Sequence, residues 1–474
     1  MSLALELDHD HLDKLPDTRQ GRWSGAWSLL AGGLAVLLGA LYPLSVALIG
    51  PAGLPILVIG VVLLAISLRW PGVGVAVAFV LTSSPVDLVN APGWLPAAVW
   101  TAMLLALLLL RPASGAGGGL DHGSSLPPLA VPLLVYGGTV LVAYAASPAH
   151  DLGLPILRST VTGILLFLVA ALALRSWSDL TTALLGTSGA AVLAGGLATL
   201  QHLLGVSSGV GFVTSTGELV GRVTGGFGHP NLLAGFLVVL VPLTFAAAVV
   251  DRRWRLLHLA GLVLSLGGIY ASFSRGALLA VALVPLFLLR GRWLLLLAPI
   301  GILALGFAVP SVLTERFALG GGNGAELASR SDIWRTAGAV WVERPLFGTG
   351  LGGFSGEYAA VRVVGKQFLP NTNFKPPPHA HNLPLQILAE QGLVGFAALG
   401  AVAAASVSAA LRLRRAADRR IAVLGSAVLA SVVGLFVHNL FDVTLLENAG
   451  VQLWGVLGIL SALVTLRHSS TDGA

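Results

Sequence analysis

The polar residues of this chain are few, and four short stretches hold most of those whose chemistry could be put to use. In "HAHNLPLQILAEQG", His379, His381 and Asn382 precede an apolar run that carries Gln386 and Glu390. An imidazole such as His381 is a neutral base near pH 7, while Asn382, Gln386 and Glu390 recur every fourth position and so form one polar stripe on a helix. "GRVTGGFGHPN" supplies Arg222 and "SFSRGA" supplies Arg275; a guanidinium pairs with phosphate oxygens bidentately and never loses its charge. "HNLFD" repeats the His-Asn pair with His438 and adds Asp442. Plainer readings stand beside these: Arg222 snorkelling to headgroups, His379 as an exposed loop histidine, His438 and Asp442 as a satisfied polar pair at an interface. The histidines lack the H-x-x-x-H spacing of a helical metal site, and Asp87, Asp151 and Asp442 do not cluster in sequence, so no metal constellation and no cofactor is expected.

The elements that must position these residues are membrane helices. Of 474 residues, 55% are hydrophobic and only 10% charged, and apolar runs recur at lengths near or above those that span a bilayer. The 60 glycines and 25 prolines lie within such runs, where neighbouring helices can satisfy freed backbone groups. The chain has no cysteine, which excludes disulfides and thiolate metal sites. The expected fold is an all-α polytopic membrane protein of about 12–14 transmembrane helices. Its parts are a cytoplasmic tail over 1–22, a bundle of about 11 spans over 23–312 that includes an outer loop at 205–229, a large extracytoplasmic loop over 313–380, C-terminal spans over 381–466 and a tail over 467–474. Residues 1–22 lack the features of a signal peptide, so the first span, near 25–49, is expected to act as the insertion signal.

Charge sets the orientation. With both termini cytoplasmic, 17 of the 27 Lys and Arg residues fall in inner segments, while the short outer loops hold only Arg158, Arg222 and Arg275. The basic balance is thus a matter of topology, and no nucleic-acid partner is expected; the partner is the lipid bilayer. The loop 313–380 breaks the pattern of short connections, and a loop of that length is usually functional or disordered. Within it, "SRSDIWRTAGAVWVERP" predicts a helix on the outer surface, with Ser329 and Asp332 as a capping box and Pro345 as the stop. "GTGLGGF" reads as a flexible turn; it resembles a phosphate loop only weakly, since no strand precedes and no lysine follows. Asn231 and Asn382 read as caps for the spans that follow them, and Pro384 falls in a first turn where its missing N–H costs nothing.

Two arginines and a histidine on one side of a membrane bundle suit a lipid diphosphate whose charge must be held while a bond to it breaks. His381 would then take the proton of an attacking hydroxyl. The ordered series "RVTGGFGHPNLLAG", "SFSRGALL", "SRSDIWRTAGAVWVERPLFGTGLGGF" and "HNLPLQILAEQGLVG" resembles the bacterial O-antigen ligase and O-antigen polymerase family of integral membrane glycosyltransferases. The resemblance covers residues 220–400 best. It implies transfer of an undecaprenyl-diphosphate-linked glycan to an acceptor hydroxyl, on lipid A core or on another glycan, at the outer face of the bacterial cytoplasmic membrane, without metal and with inversion. It also implies His381 as the base, Arg275 and Arg222 on the diphosphate, and Arg330 as the arginine preceding the surface helix. One departure is His229, where asparagine is the expected residue. The competing reading is a carrier of small solutes, bicarbonate among them, or of lipid-linked glycans; carriers keep ionisable groups near the midplane in broken helices and repeated halves, whereas these charges gather at one rim.

Overall fold

The computed structural model describes residues 53–83, 95–110, 126–207, 209–213, 219–288, 323–361, 363–364, 367–368 and 379–471. The spans expected near 25–49 and 292–312, and the tail 1–22, lie outside the described residues. The chain divides into two compact units, Met1–Ala65 with Leu88–Ala91, and Ile66–Asp87 with Pro92–Ala474. Of the first unit, residues 53–65 are described, as the body of helix α1 (Gly53–Arg69).

The second unit is built from helices in the order the apolar runs predict. They are α2 (Pro71–Thr82), α3 (Leu95–Leu109), α4 (Ala130–Ala145), α5 (His150–Ala173), α6 (Trp177–Leu203), α7 (Pro230–Val250), α8 (Arg255–Ala271) and α9 (Arg275–Leu288). After these come α10 (Asn323–Glu343), α11 (Gly353–Val361), α12 (Leu383–Arg414), α13 (Arg419–His438) and α14 (Asn448–Thr471). Among the described residues, six helices are long and apolar enough to cross a membrane and six more are apolar but shorter. The protein is an all-α polytopic membrane protein; its described strands are two short antiparallel hairpins, β1 (Gly211–Val213) with β2 (Leu219–Gly221) and β3 (Val363–Val364) with β4 (Gln367–Phe368).

Local chemistry fixes the helix starts. Ser176 caps α6 by accepting from Asp179 N at 3.1 Å, and Asp179 adds a negative charge to the first turn. Asp418 caps α13 through Arg420 N at 2.7 Å. Helix α7 is apolar on every face and nearly every side chain in it is buried, which makes it the central post of the bundle. Around it α6, α8 and α9 share one core that includes Ala194, Val223, Phe236, Leu237, Ile269 and Ala277. Helices α6 and α8 approach closely because Gly195 carries no side chain: a Cβ there would lie 2.5 Å from the carbonyl oxygen of Leu264.

Three expectations are corrected. The helix of the large loop begins at Asn323 and not near Ser329, so Ser329 and Asp332 are interior to α10 and not its caps, while its end at Glu343 agrees with the stop at Pro345. Arg158 lies within α5 and not in a loop, since that helix starts at His150 and carries Pro155 internally. The turn 348–354 is buried and not flexible. Its role follows from Gly392, whose φ of 63° breaks α12 and releases backbone groups on both sides of the break. Leu393 N and Val394 N donate to the carbonyls of Pro345 and Leu346 at 2.8 and 3.1 Å, and Thr349 N and Gly350 N donate to those of Ala389 and Glu390 at 2.9 Å each. The turn thereby supplies the partners that a continuous helix would have supplied.

Candidate active site

The N-termini of α7, α9 and α12 and the C-termini of α8 and α13 meet at one end of the bundle, and the polar stretches meet there with them. Asn382 caps α12 by accepting from Leu385 N at 3.0 Å, with Pro384 in the first turn. Its Nδ2 donates to the carbonyl of Leu440 at 2.9 Å, and Leu383 N donates to that of Asn439 at 2.8 Å. The "HAHN" turn is thus pinned to the "HNLFD" turn. Gly276, beside Arg275, lets α9 approach α13: a Cβ on it would meet His438 Nδ1 at 3.1 Å. Arg330 on α10 donates to the carbonyl of Phe441 at 2.9 Å. Arg222, held after the β1–β2 hairpin, donates from Nε to the carbonyl of Ser272 at 2.7 Å. Every stretch singled out for chemistry therefore touches another.

The most ordered part of the site is a chain of polar contacts. Arg222 Nη2 donates to Asn231 Oδ1 at 2.7 Å, Asn231 Nδ2 donates to Asp442 Oδ2 at 2.5 Å, and Asp442 Oδ1 lies 3.9 Å from His381 Nδ1. Val443 N donates to Asp442 Oδ1 at 2.9 Å. Arg222, Asn231 and Asp442 are almost wholly buried, while His381 keeps 25% of its side chain exposed. His381 Nδ1 is buried without a hydrogen bond, and a small rotation toward Asp442 would close the gap. Asn231 is thus not the cap of α7. Pro230 occupies the first helical position, so His229 is the cap, accepting from Asn231 N at 3.2 Å, and Asn231 is left to bridge the arginine and the aspartate.

Backbone strain collects here. Three described non-glycine residues have positive φ, and two of them are Phe273 at 49°, in the "SFSR" turn, and His381 at 51°. Such conformations cost of order 1–3 kcal/mol and cluster at functional sites. Burial pushes the imidazole of His381 down to about 4, with the neighbouring His379 and Arg330 adding to the shift and Asp442 opposing it. Burial likewise lowers His379 and His229. The rings are therefore neutral at pH 7, with lone pairs available. Burial alone would raise Asp442, but His438, His379 and His381 around it outweigh burial and hold its carboxyl below the usual range.

The stripe expected on α12 divides. Asn382 belongs to the site, whereas Gln386 and Glu390 are 2% and 1% exposed and bind backbone. Gln386 Oε1 accepts from Ala380 N at 2.6 Å, which fixes the histidine turn, and Glu390 Oε1 accepts from Phe354 N at 3.4 Å, beside the break at Gly392. His438 is buried, its Nε2 3.3 Å from the carbonyl oxygen of Asn231. Sequence spacing pointed to no metal cluster, yet the fold brings donor atoms of His379, His381 and Asp442 within 4.8 Å of one another. His379 and His381 are two residues apart, but Asp442 comes from another helix connection, which spacing alone does not reveal.

Residues 260–400 match the family model for O-antigen ligase. The matched segment runs from α8 into α12 and holds Arg275, Arg330, His379 and His381, while Arg222, Asn231 and Asp442 lie outside it. No curated protein matches the chain. The match spans the segment that carries the histidine turn and two of the three site arginines, and in that segment the chain is similar to O-antigen ligase.

Proposed function

We propose that the protein transfers a glycan from a polyprenyl diphosphate to an acceptor hydroxyl, with His381 as general base. The observation that carries this reading is the meeting of Arg222, Arg275, Arg330, His381 and Asp442 segments at one end of the bundle. With Nδ1 turned toward Asp442, His381 presents Nε2 to the acceptor. The acceptor O–H gives its proton to Nε2, its oxygen forms a bond to the anomeric carbon on the face opposite the leaving group, and the bond from that carbon to the diphosphate oxygen breaks. The lipid diphosphate departs with the electron pair. Arg275 and Arg330, both half-buried, hold its growing charge in the manner of an oxyanion site, and Arg222 keeps Asn231 and Asp442 in place behind the base. The carrier reading requires a broken helix that lines a cavity. The break at Gly392 is instead filled by the chain's own 345–350 backbone, which favours the transferase.

The test is an in-vitro transfer assay on purified protein with a lipid-diphosphate oligosaccharide donor, in which lipid A core and a second lipid-linked glycan are offered separately as acceptors. Product on one acceptor, lost in His381→Ala while the variant still inserts and folds, supports the reading and separates ligase from polymerase. Full activity in His381→Ala sinks it.

A further inference from the structure

The three donors at the histidine turn have the composition of a transition-metal site. Two imidazoles and a carboxylate make a ligand set that suits Zn²⁺ and its borderline neighbours. Their donor atoms already lie within 4.8 Å of one another, and the rings of His379 and His381 have centroids 4.1 Å apart. Around one tetrahedral Zn²⁺, with bonds of about 2.0–2.2 Å, donors sit roughly 3.3–3.5 Å apart, so contraction of a little over 1 Å is required. Both histidines are half-buried and sit on a turn, not a helix, so their rings are able to swing. Asp442 is the fixed corner, oriented by Asn231 Nδ2 and Val443 N as outer-shell partners orient a metal-bound carboxylate. His381 Nδ1 is buried and has no hydrogen bond to lose.

We propose that His379, His381 and Asp442 bind a borderline transition-metal cation, typified by Zn²⁺, and that its occupancy suspends transfer by engaging the ring that serves as base. The inhibitory half rests on the transferase reading above; the binding half does not. Two features keep the site weak enough to be reversible. Arg330 and Arg222 lie nearby and oppose a cation. His379 must also give up the 3.3 Å hydrogen bond that its Nδ1 accepts from His381 N, since a ring bound through either nitrogen no longer offers Nδ1 as acceptor.

The experiment is calorimetric titration of the purified full-length protein in detergent with ZnCl₂, run beside the transfer assay. Saturable binding of one equivalent is expected, weakened about tenfold or more in His379→Ala. Asp442→Asn is expected to weaken it as well, but because that change also disturbs the contact to Asn231, His379→Ala is the deciding variant. Transfer is expected to fall with the same midpoint as binding, to return on addition of EDTA, and in His379→Ala to require about tenfold more Zn²⁺ for the same fractional loss. Absence of saturable binding, or binding of equal strength in His379→Ala, overturns the site. Binding with undiminished transfer overturns the inhibitory role. Binding as expected in a protein that transfers no glycan to any acceptor leaves the site standing and fails the transferase reading instead.

Discussion

His381 is held at a φ of 51°, where glycine rests easily and asparagine is tolerated better than most residues. This allows the loss of the proposed base to be separated from loss of fold. His381→Asn is expected to keep the thermal midpoint in detergent and to lower the transfer rate by roughly 10²–10⁴-fold, the usual worth of a general base; activity within a few-fold of wild type would assign the proton transfer elsewhere. The proposed base also sets a pH signature. A ring pushed down to about 4 stays neutral through the physiological range, so kcat/KM, which reports the free enzyme, should hold steady from pH 7 to about 5 and fall as pH drops through about 4. The apparent value belongs to the coupled group of His229, His379 and His381 rather than to one ring. Bound diphosphate is an anion and favours the protonated ring, so the acid limb of kcat should lie at higher pH than that of kcat/KM, and coincident limbs would argue that no anion binds beside His381. Arg222 is the residue for which the sequence reading needs most adjustment. Its spacing cannot show that Ser272 and Asn231 occupy two of its donors. Lysine has no planar fork to serve both, and a hydrogen bond from a charged group is worth about 1.5–3 kcal/mol. Arg222→Lys should therefore lower the thermal midpoint as well as the rate, whereas Arg275→Lys should act mainly on donor KM.

At the scale of elements, the helices were legible and their interruptions were not. Apolar runs placed α7 at its observed bounds, and α8, α9, α12 and α13 within a few residues of theirs, because transmembrane length and Pro or Asn at the start are local signals. The break in α12 left no local mark: Gly392 is one glycine among 60, and its φ of 63° makes sense only once the 345–350 backbone lies against it. The same contact explains why "GTGLGGF" reads as a loose turn in sequence and is buried in the fold. Two glycines of one helix then give a paired prediction. At Gly392 an added Cβ would be strained by the backbone angle and would collide with the Leu346 carbonyl, while at Gly400 it would meet nothing within 4 Å. Gly392→Ala should destabilise the protein by more than about 1 kcal/mol, and Gly400→Ala should be neutral or slightly stabilising because alanine is the better helix former. Melting curves of the two purified variants decide the matter; equal midpoints would mean that the turn 345–350 does not clamp the break.

At the scale of the whole molecule, the site is assembled from pieces that lie far apart in sequence, and sequence could propose their meeting but not display it. What helix direction and charge do allow is an expectation about sides. Helices α7 and α12 both start at the site and run away from it, so their far ends bring Arg252, Arg253, Arg412, Arg414 and Arg415 to the opposite end of the bundle, and α13 starts there with Arg419 and Arg420 before it returns to His438. By the positive-inside rule that end is expected to face the cytoplasm and the histidine turn to face out. The proposed transfer, from an exported donor to an acceptor met outside the cell, requires this arrangement, so a wrong orientation would remove the biochemical reading together with the topology. The chain has no native cysteine, which makes single-cysteine labelling free of background. Leu219, 72% exposed on the hairpin that leads to Arg222, and Ala417, exposed in the turn between α12 and α13, report the two ends. In intact cells or spheroplasts, a membrane-impermeant maleimide is expected to label Leu219→Cys at once and Ala417→Cys only after the membrane is permeabilised. The reverse pattern would turn the bundle over, set the diphosphate arginines against the cytoplasm, and leave a substrate assembled on the inner leaflet as the one consistent with the site.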